Sequence, residues 1–243
     1  MGERTLRRAT AIGLFGALLL SLVTVLATPS APVAAAGSCD LHWSHANGFF
    51  DGSVFFDPNS WTEQAAPTAL SSVCFGATTS VALIGLTTTV ASIDVADGGS
   101  FTVFGGTLTL GQESTIGGVT IDNGGVIVGQ HDLLVPAGRT FSMTPGRGGT
   151  VRSTTGGTLR VDGTVSVHSS SLTLDLAVVN HGTVTTDASG QVTIGQGLTF
   201  ENDGLVHIDA GGFISSANAD VPSVLHNAVG ATVEFNGRNL GLD

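Results

Sequence analysis

From about residue 81 onward, apolar and polar residues alternate in short runs, each opened by a glycine. The runs are GSFTV from Gly99, GTLTL from Gly106, GGVTI from Gly117, GGVIV from Gly124, GTLRV from Gly157, GTVSV from Gly163, GQVTI from Gly190 and GLVHI from Gly204. Imperfect copies start at Gly149, Gly182, Gly211 and Gly230. A period of two in Val, Ile, Leu and Thr, after a residue that tolerates positive φ, predicts a strand following a tight turn. A second, longer period lies over the first. Asn180 precedes Gly182, Asn202 precedes Gly204 and Asn227 precedes Gly230, so the phrase restarts after 22 and then 25 residues. Sandwiches and up-and-down barrels also use many short strands, but they impose no such repeat. The spacing predicts an all-β chain wound as a single-stranded, right-handed parallel β-helix (β-solenoid).

In that fold each coil stacks on the last at the strand spacing, so residues 81–243 should make roughly seven coils of about 22 residues, a rod of roughly 35 Å. Equivalent positions then become neighbours. Asn180, Asn202 and Asn227 are expected to hydrogen-bond amide to amide as a corner ladder, with the alternating aliphatics stacked inside. The copies between 99 and 163 are less regular. The stretch 131–149, which holds Pro136 and Pro145, predicts a distorted coil or a protruding loop.

Residues 1–36 read differently. Arg4, Arg7 and Arg8 precede the uncharged run AIGLFGALLLSLVTVLA, and the segment closes on Ala34-Ala35-Ala36, the order of a secretory signal peptide. The 17-residue run also has the length of an uncleaved anchor, and both readings require export. Residues 37–80 contain both tryptophans, Trp43 and Trp61, and five of the twelve phenylalanines, and are expected to cap the first coil. The only cysteines, Cys39 and Cys74, are expected to form one disulfide in an exported chain, contributing about 3–4 kcal/mol. The alternative for Cys39 is lipidation after AAAGSC. The C-terminal EFNGRNLGLD reads like the start of another coil, which predicts a fragment or an end-to-end contact there.

Removing residues 1–36 leaves 18 acids against 5 arginines, a net charge of −13, and the chain has no lysine. Phosphate and anionic-lipid binding need clustered cations, so nucleic acid and membrane surfaces are excluded as partners. Few residues are strong helix formers.

The stretch from WSHANGFFDGSVFFDPNSW to LSSVCFG, followed by VASIDVADGGSFTVFGGTLTLG and the NHGTV and NDGLV phrases, resembles secreted bacterial adhesin-like β-helix repeat proteins. In that family a Trp-containing lead precedes Gly/Thr/Val-rich coils with N-x-G-T-V corners. The match departs at Ser72, where an acid is expected before Val-Cys. The resemblance implies a cell-surface or secreted structural module and supplies no catalytic residues.

Parallel β-helices also host polysaccharide lyases and glycosidases, which use clustered carboxylates. Candidates are Asp162, Asp175, Asp187, Asp203 and Asp209, with Asp187 and Asp209 22 residues apart. The simpler expectation is that each caps its own turn. Arg139, Arg147, Arg152 and Arg160 are expected to solubilise one face rather than bind an acidic glycan. His42 and His45 near Cys39 invite a zinc reading, but four ligands at recognisable spacing are missing. His168, His181, His207 and His226 are scattered and expected on the surface. No nucleophile elbow, P-loop or Rossmann fingerprint occurs. The sequence therefore predicts a secreted, non-enzymatic β-helix with an adhesive or structural role, no cofactor or metal, and extracellular polysaccharide or cell-surface components as partners. The alternative is a polysaccharide-binding or -cleaving β-helix enzyme or a fragment of one.

Overall fold

The computed structural model describes residues 39–45, 47–50 and 52–236, and the side chains of 39–45 and 54–236. The expected signal peptide, 1–36, and the last seven residues lie outside the described residues. Between them the chain is all-β, with parallel coils stacked into a solenoid of seven complete turns. Each turn adds one strand to each of three faces.

The first sheet has nine strands: Asn47–Phe50, Ser80–Ile84, Ser100–Phe104, Val119–Asp122, Thr140–Met143, Thr164–Val167, Thr183–Thr186, Leu205–Ile208 and Thr232–Phe235. The second has seven: Thr87–Val90, Thr107–Leu110, Val126–Gly129, Gly149–Ser153, Ser171–Asp175, Gln191–Ile194 and Phe213–Ser216. The third has six: Ser114–Thr115, Leu133–Val135, Thr158–Val161, Ala177–Asn180, Thr199–Asn202 and Val224–Asn227. A three-stranded sheet of Leu41–His42, Ser72–Phe75 and Ser92–Val95 packs its last strand against Ser114–Thr115.

Alternation decides which residues go inside. On the first sheet, Val81, Phe101, Val119 and then Phe141, Val165, Val184, Val206 and Val233 follow one another along a single inward column. A second column runs Leu83, Val103, Ile121, Met143, Val167, Thr186, Ile208 and Phe235. Most of these side chains are fully buried. β-branched residues suit this narrow interior because their single preferred rotamer stacks directly on its counterpart.

The lead segment both plugs and extends the stack. Trp61, 1% exposed, donates its indole N–H to the Phe55 carbonyl at 2.9 Å. It packs edge-on against Trp43 and Phe55, and Phe75 carries the cluster on to Phe101. Cys39 and Cys74 form the disulfide, with Cα atoms 5.8 Å apart, within the range a bridge requires. Strands from this segment also belong to the sheets, so stacking begins before residue 81.

Two local expectations are refined. In the 131–149 stretch Leu133–Val135 and Thr140–Met143 stay in the stack and pair fully with the following coil, while Thr140–Met143 pairs with the preceding coil at only two residues, a local distortion rather than a break. Pro136 and Pro145 fall in the corners on either side of Thr140–Met143, where no ladder donor is missed. At Gly182 and Gly204 the reason for glycine is close approach rather than positive φ. A Cβ at Gly182 would lie 2.1 Å from the Gly163 carbonyl oxygen, and one at Gly204 would lie 2.2 Å from that of Gly182. Gly230, φ 94°, is the member of the set that uses left-handed backbone.

Candidate functional site

The asparagines come together as the repeat predicts. Asn180 Nδ2 donates to Asn202 Oδ1 at 2.7 Å, and Asn202 Nδ2 donates to Asn227 Oδ1 at 2.6 Å. Asn180 and Asn202 also reach the carbonyl that opens the first-sheet strand one coil further on, Leu205 at 3.1 Å and Thr232 at 3.1 Å. Each asparagine ends its third-sheet strand with the side chain turned inward, and Asn180 and Asn202 are completely buried. The ladder therefore ties the third face to the first. It stops at Asn180, whose Oδ1 has no partner, because Val161 occupies the equivalent place one coil earlier.

The outward positions form hydroxyl columns. On the first sheet Thr102, Thr120, Ser142, Ser166 and Thr185 follow one another in five successive coils. Thr140, Thr164 and Thr183 run beside part of this column. On the second sheet Thr87, Thr107, Val126, Thr150, Thr173, Thr193 and Ser215 make a column of seven positions, six of them hydroxyls. Neighbours repeat about every 4.8 Å across strands and about 6.6 Å along them. No charged residue lies within these runs, although Arg152 and Asp175 stand beside the second-face column and the first-face column continues into His207 and Glu234. The result is a pair of periodic, hydrogen-bonding hydroxyl columns.

The carboxylates do not converge. Asp187 and Asp209 follow the paired residues Thr186 and Ile208 and so occupy equivalent places in adjacent coils. Each is consumed locally. Asp187 accepts from the Ser169 amide at 2.8 Å, the Ser169 hydroxyl at 3.1 Å and the Ser189 amide at 3.1 Å. Burial pushes the Asp187 carboxyl up, but the Ser169 and Ser189 amides, the Ser169 hydroxyl and nearby His168 outweigh it, so the net shift is downward. Asp209 meets His207 and Asn236, Asp162 is gripped by Arg160 at 2.8 Å, and Asp203 faces His181 at 3.4 Å. Asp175 pairs in register with Arg152.

Ser166, His168 and Asp187 fall in a line, with Oγ to Nε2 2.7 Å and Nδ1 to Oδ2 3.6 Å. The order is that of a nucleophile, a base and an orienting acid. However, Ser166 is only 8% exposed. The amides of its strand are also engaged in the parallel ladder on both sides, which removes the backbone donors an oxyanion hole would use. The trio is one hydrogen bond, between Ser166 and His168, followed by a longer electrostatic contact from His168 to Asp187.

Sequence reasoning missed a cleft of about 430 Å³ lined by Glu113, Gln130, His131, Asp132 and the Thr155–Gly157 turn. It sits where three successive coils pass from the second face to the third. Asp132 Oδ1 accepts from the Thr158 amide at 2.7 Å and holds two of those coils together. The clue was the Gly-Gln step at 111–112 and again at 129–130, each followed by an acid within two residues.

The zinc reading of the lead segment fails on geometry. Cys39 and Cys74 are bonded to each other, and His42 Nδ1 lies 2.7 Å from Glu63 Oε1. Among the described residues no three His, Cys, Asp or Glu side chains are grouped to hold a metal ion, and no helix is long and apolar enough to cross a membrane. The arginines do more than solubilise. Arg139 reaches back past Gly117 to the Val95 carbonyl and Asp97, knitting coils together. No family model, curated protein or solved structure matches this chain.

Proposed function

We propose that this chain is an exported, non-catalytic solenoid that adheres to extracellular polysaccharide through the hydroxyl columns of its first and second faces. The observation that carries the reading is the registered run of Thr and Ser over coil after coil, uninterrupted by charge. One hydroxyl contributes little against water. A column of six, held at fixed spacing by the backbone, binds multivalently with little further ordering to offset. The disulfide fits an oxidising compartment. Acids that each serve a turn or a neighbouring coil fit a scaffold better than a reaction centre.

The test is sedimentation of the folded chain with insoluble polysaccharides, comparing wild type with a Thr107→Lys/Thr173→Lys variant in the second-face column. Binding that weakens by about tenfold or more in the variant supports the reading. Binding to no polysaccharide, or binding unchanged by the two lysines, sinks it.

The cleft supports a second reading, polysaccharide cleavage, because Glu113 and Asp132 place two carboxyl groups beside His131 in one concavity. That reading requires release of new reducing or unsaturated ends, abolished in Glu113→Gln and Asp132→Asn. No product from wild type leaves adhesion standing alone.

A further inference from the structure

The cations of this protein change identity along the stack. Residues 81–160 contain Asp94, Asp97, Glu113, Asp122 and Asp132 against four arginines, which leaves −1. Residues 161–236 contain eight acids and neither arginine nor lysine, which leaves −8 with neutral histidines. The second segment has four histidines instead, and all four stand against carboxylates. His168 Nδ1 is 3.6 Å from Asp187, His181 Nδ1 is 3.4 Å from Asp203, and His226 Nδ1 is 3.7 Å from Glu201. His207 is held at both ends, by Glu234 at 2.9 Å and Asp209 at 3.3 Å. All but the Asp209 contact run from one coil to the next.

We propose that these histidines form a proton-operated fastening, so that the coils of residues 161–236 tighten as the surroundings acidify from about pH 8 to about pH 5.5 and loosen on return. Protonating all four converts the segment from −8 to −4, relieving self-repulsion, and turns neutral contacts into ion pairs that bridge coils.

The groups facing each histidine point the same way. His168 has Ser166 on its own strand, Thr144 one coil earlier and Asp187 one coil later. His181 lies between Asp162, already occupied by Arg160, and Asp203. His207 has Thr185 beneath it, Glu234 above it and Asn236 and Asp209 beside it. His226 is in register with Glu201. Residues 161–236 themselves supply no arginine or lysine to oppose protonation, and Arg160, on the side of His181, is engaged by Asp162.

The hydrogen bond that the His207 imidazole donates to Glu234 lifts it above its ordinary 6.5; burial opposes the lift, and Asp209 adds to it. A raised folded value contributes stability that is complete below about 6.5 and is lost as pH rises through the raised value. Asp187 and Glu63 work the other way. Their lowered values give stability that is present above the ordinary carboxylate range and fades as pH falls through them. The favourable window therefore opens below about 6.5 and closes in stronger acid.

The experiment is hydrogen exchange on the folded chain at pH 5.5 and pH 8.0, corrected for intrinsic exchange, with melting at the same two pH values. The expected result is a Tm at least about 3 °C higher at pH 5.5, with added protection in residues 161–236 and little change in 81–160. In the variant His168→Gln/His181→Gln/His207→Gln/His226→Gln the pH difference disappears. Equal protection at the two pH values, or a difference that survives the four substitutions, overturns the proposal. If the quadruple variant does not fold, NMR titration of wild type decides. A His207 midpoint above that of the urea-unfolded chain supports the fastening; a midpoint at or below it overturns it.

Discussion

The coils of residues 81–160 and those of residues 161–236 solve one problem with different chemistry. Both must hold windings together that bury only a thin column of side chains each. In the earlier coils the third-sheet position that faces inward at the strand end is aliphatic, Val135 and then Val161, and arginines such as Arg139 brace the outside. In the later coils the same position is Asn180, Asn202 and Asn227, and histidine–acid pairs stand outside. A solenoid couples each coil only to its neighbours, so the two styles can coexist in one stack. The lesson is that the backbone winding is common property, while what fastens it is local and separately breakable.

The largest predicted effect is at the aromatic end that leads into the earlier coils. Trp61 is buried against Trp43, Phe55 and Phe75, and its indole N–H is bonded. Trp61→Ala leaves a large cavity and an unmet carbonyl, and should cost about 3–5 kcal/mol. Denaturant melts should show the loss, and hydrogen exchange should place it in residues 39–104 with the later coils protected. Uniform loss along the whole stack would erase the proposed separation of the two halves.

Next comes the amide ladder. Asn202 bridges both neighbours, so Asn202→Ala strips the Asn180 amide of one acceptor and leaves Asn227 Oδ1 without its donor. We expect a cost of about 2–4 kcal/mol. Asn227 is exposed and ends the ladder, so Asn227→Ala should cost less than about 1 kcal/mol. Equal costs would mean that the amides act singly rather than as a chain.

Much of this architecture was legible because a solenoid writes its geometry into the sequence. The Gly-opened runs located strands, and the Asn phrase located the stacking axis, since residues one coil apart must be chemically compatible. The cap over residues 37–80 was read from its change in composition, and the Cys39–Cys74 bridge from these being the only two cysteines in the sequence. Of the cleft at Glu113, His131 and Asp132 only the repeated Gly-Gln step with its following acid was visible, because three different corners build it and no single stretch carries its shape. The histidine pairs were not legible. His207 and Glu234 are 27 residues apart, and only the 27-residue step of the last turn brings them opposite. The role of Gly182 and Gly204 was misread because positive φ and carbonyl approach both select glycine, and the sequence shows only the selection.

That distinction sharpens into a smaller effect. Gly163, Gly182 and Gly204 succeed one another, each with the preceding coil's carbonyl where a Cβ would sit. Gly204→Ala should cost about 1–3 kcal/mol by forcing the backbone apart. Gly230 has open space around its would-be Cβ but left-handed backbone, so Gly230→Asn should be nearly neutral while Gly204→Asn is at least as harmful as alanine. Parallel thermal melts of the three variants would separate the two reasons for glycine.

The smallest effect probes an imperfection inside the later coils. Thr186 occupies the inward column between Val167 and Ile208, is 1% exposed, and leaves its hydroxyl without a partner. A buried hydroxyl that bonds to nothing lowers stability, so Thr186→Val should stabilise by about 1 kcal/mol and raise Tm by about 2–4 °C. The converse change two residues earlier, Val184→Thr, places a new hydroxyl in the apolar column of Val165 and Val206 and should destabilise by about 1–2 kcal/mol. If both substitutions moved Tm in the same direction, packing volume rather than polarity would govern this interior. The contrast between an aliphatic early stack and an amide-laddered later one would then have to be rebuilt on shape.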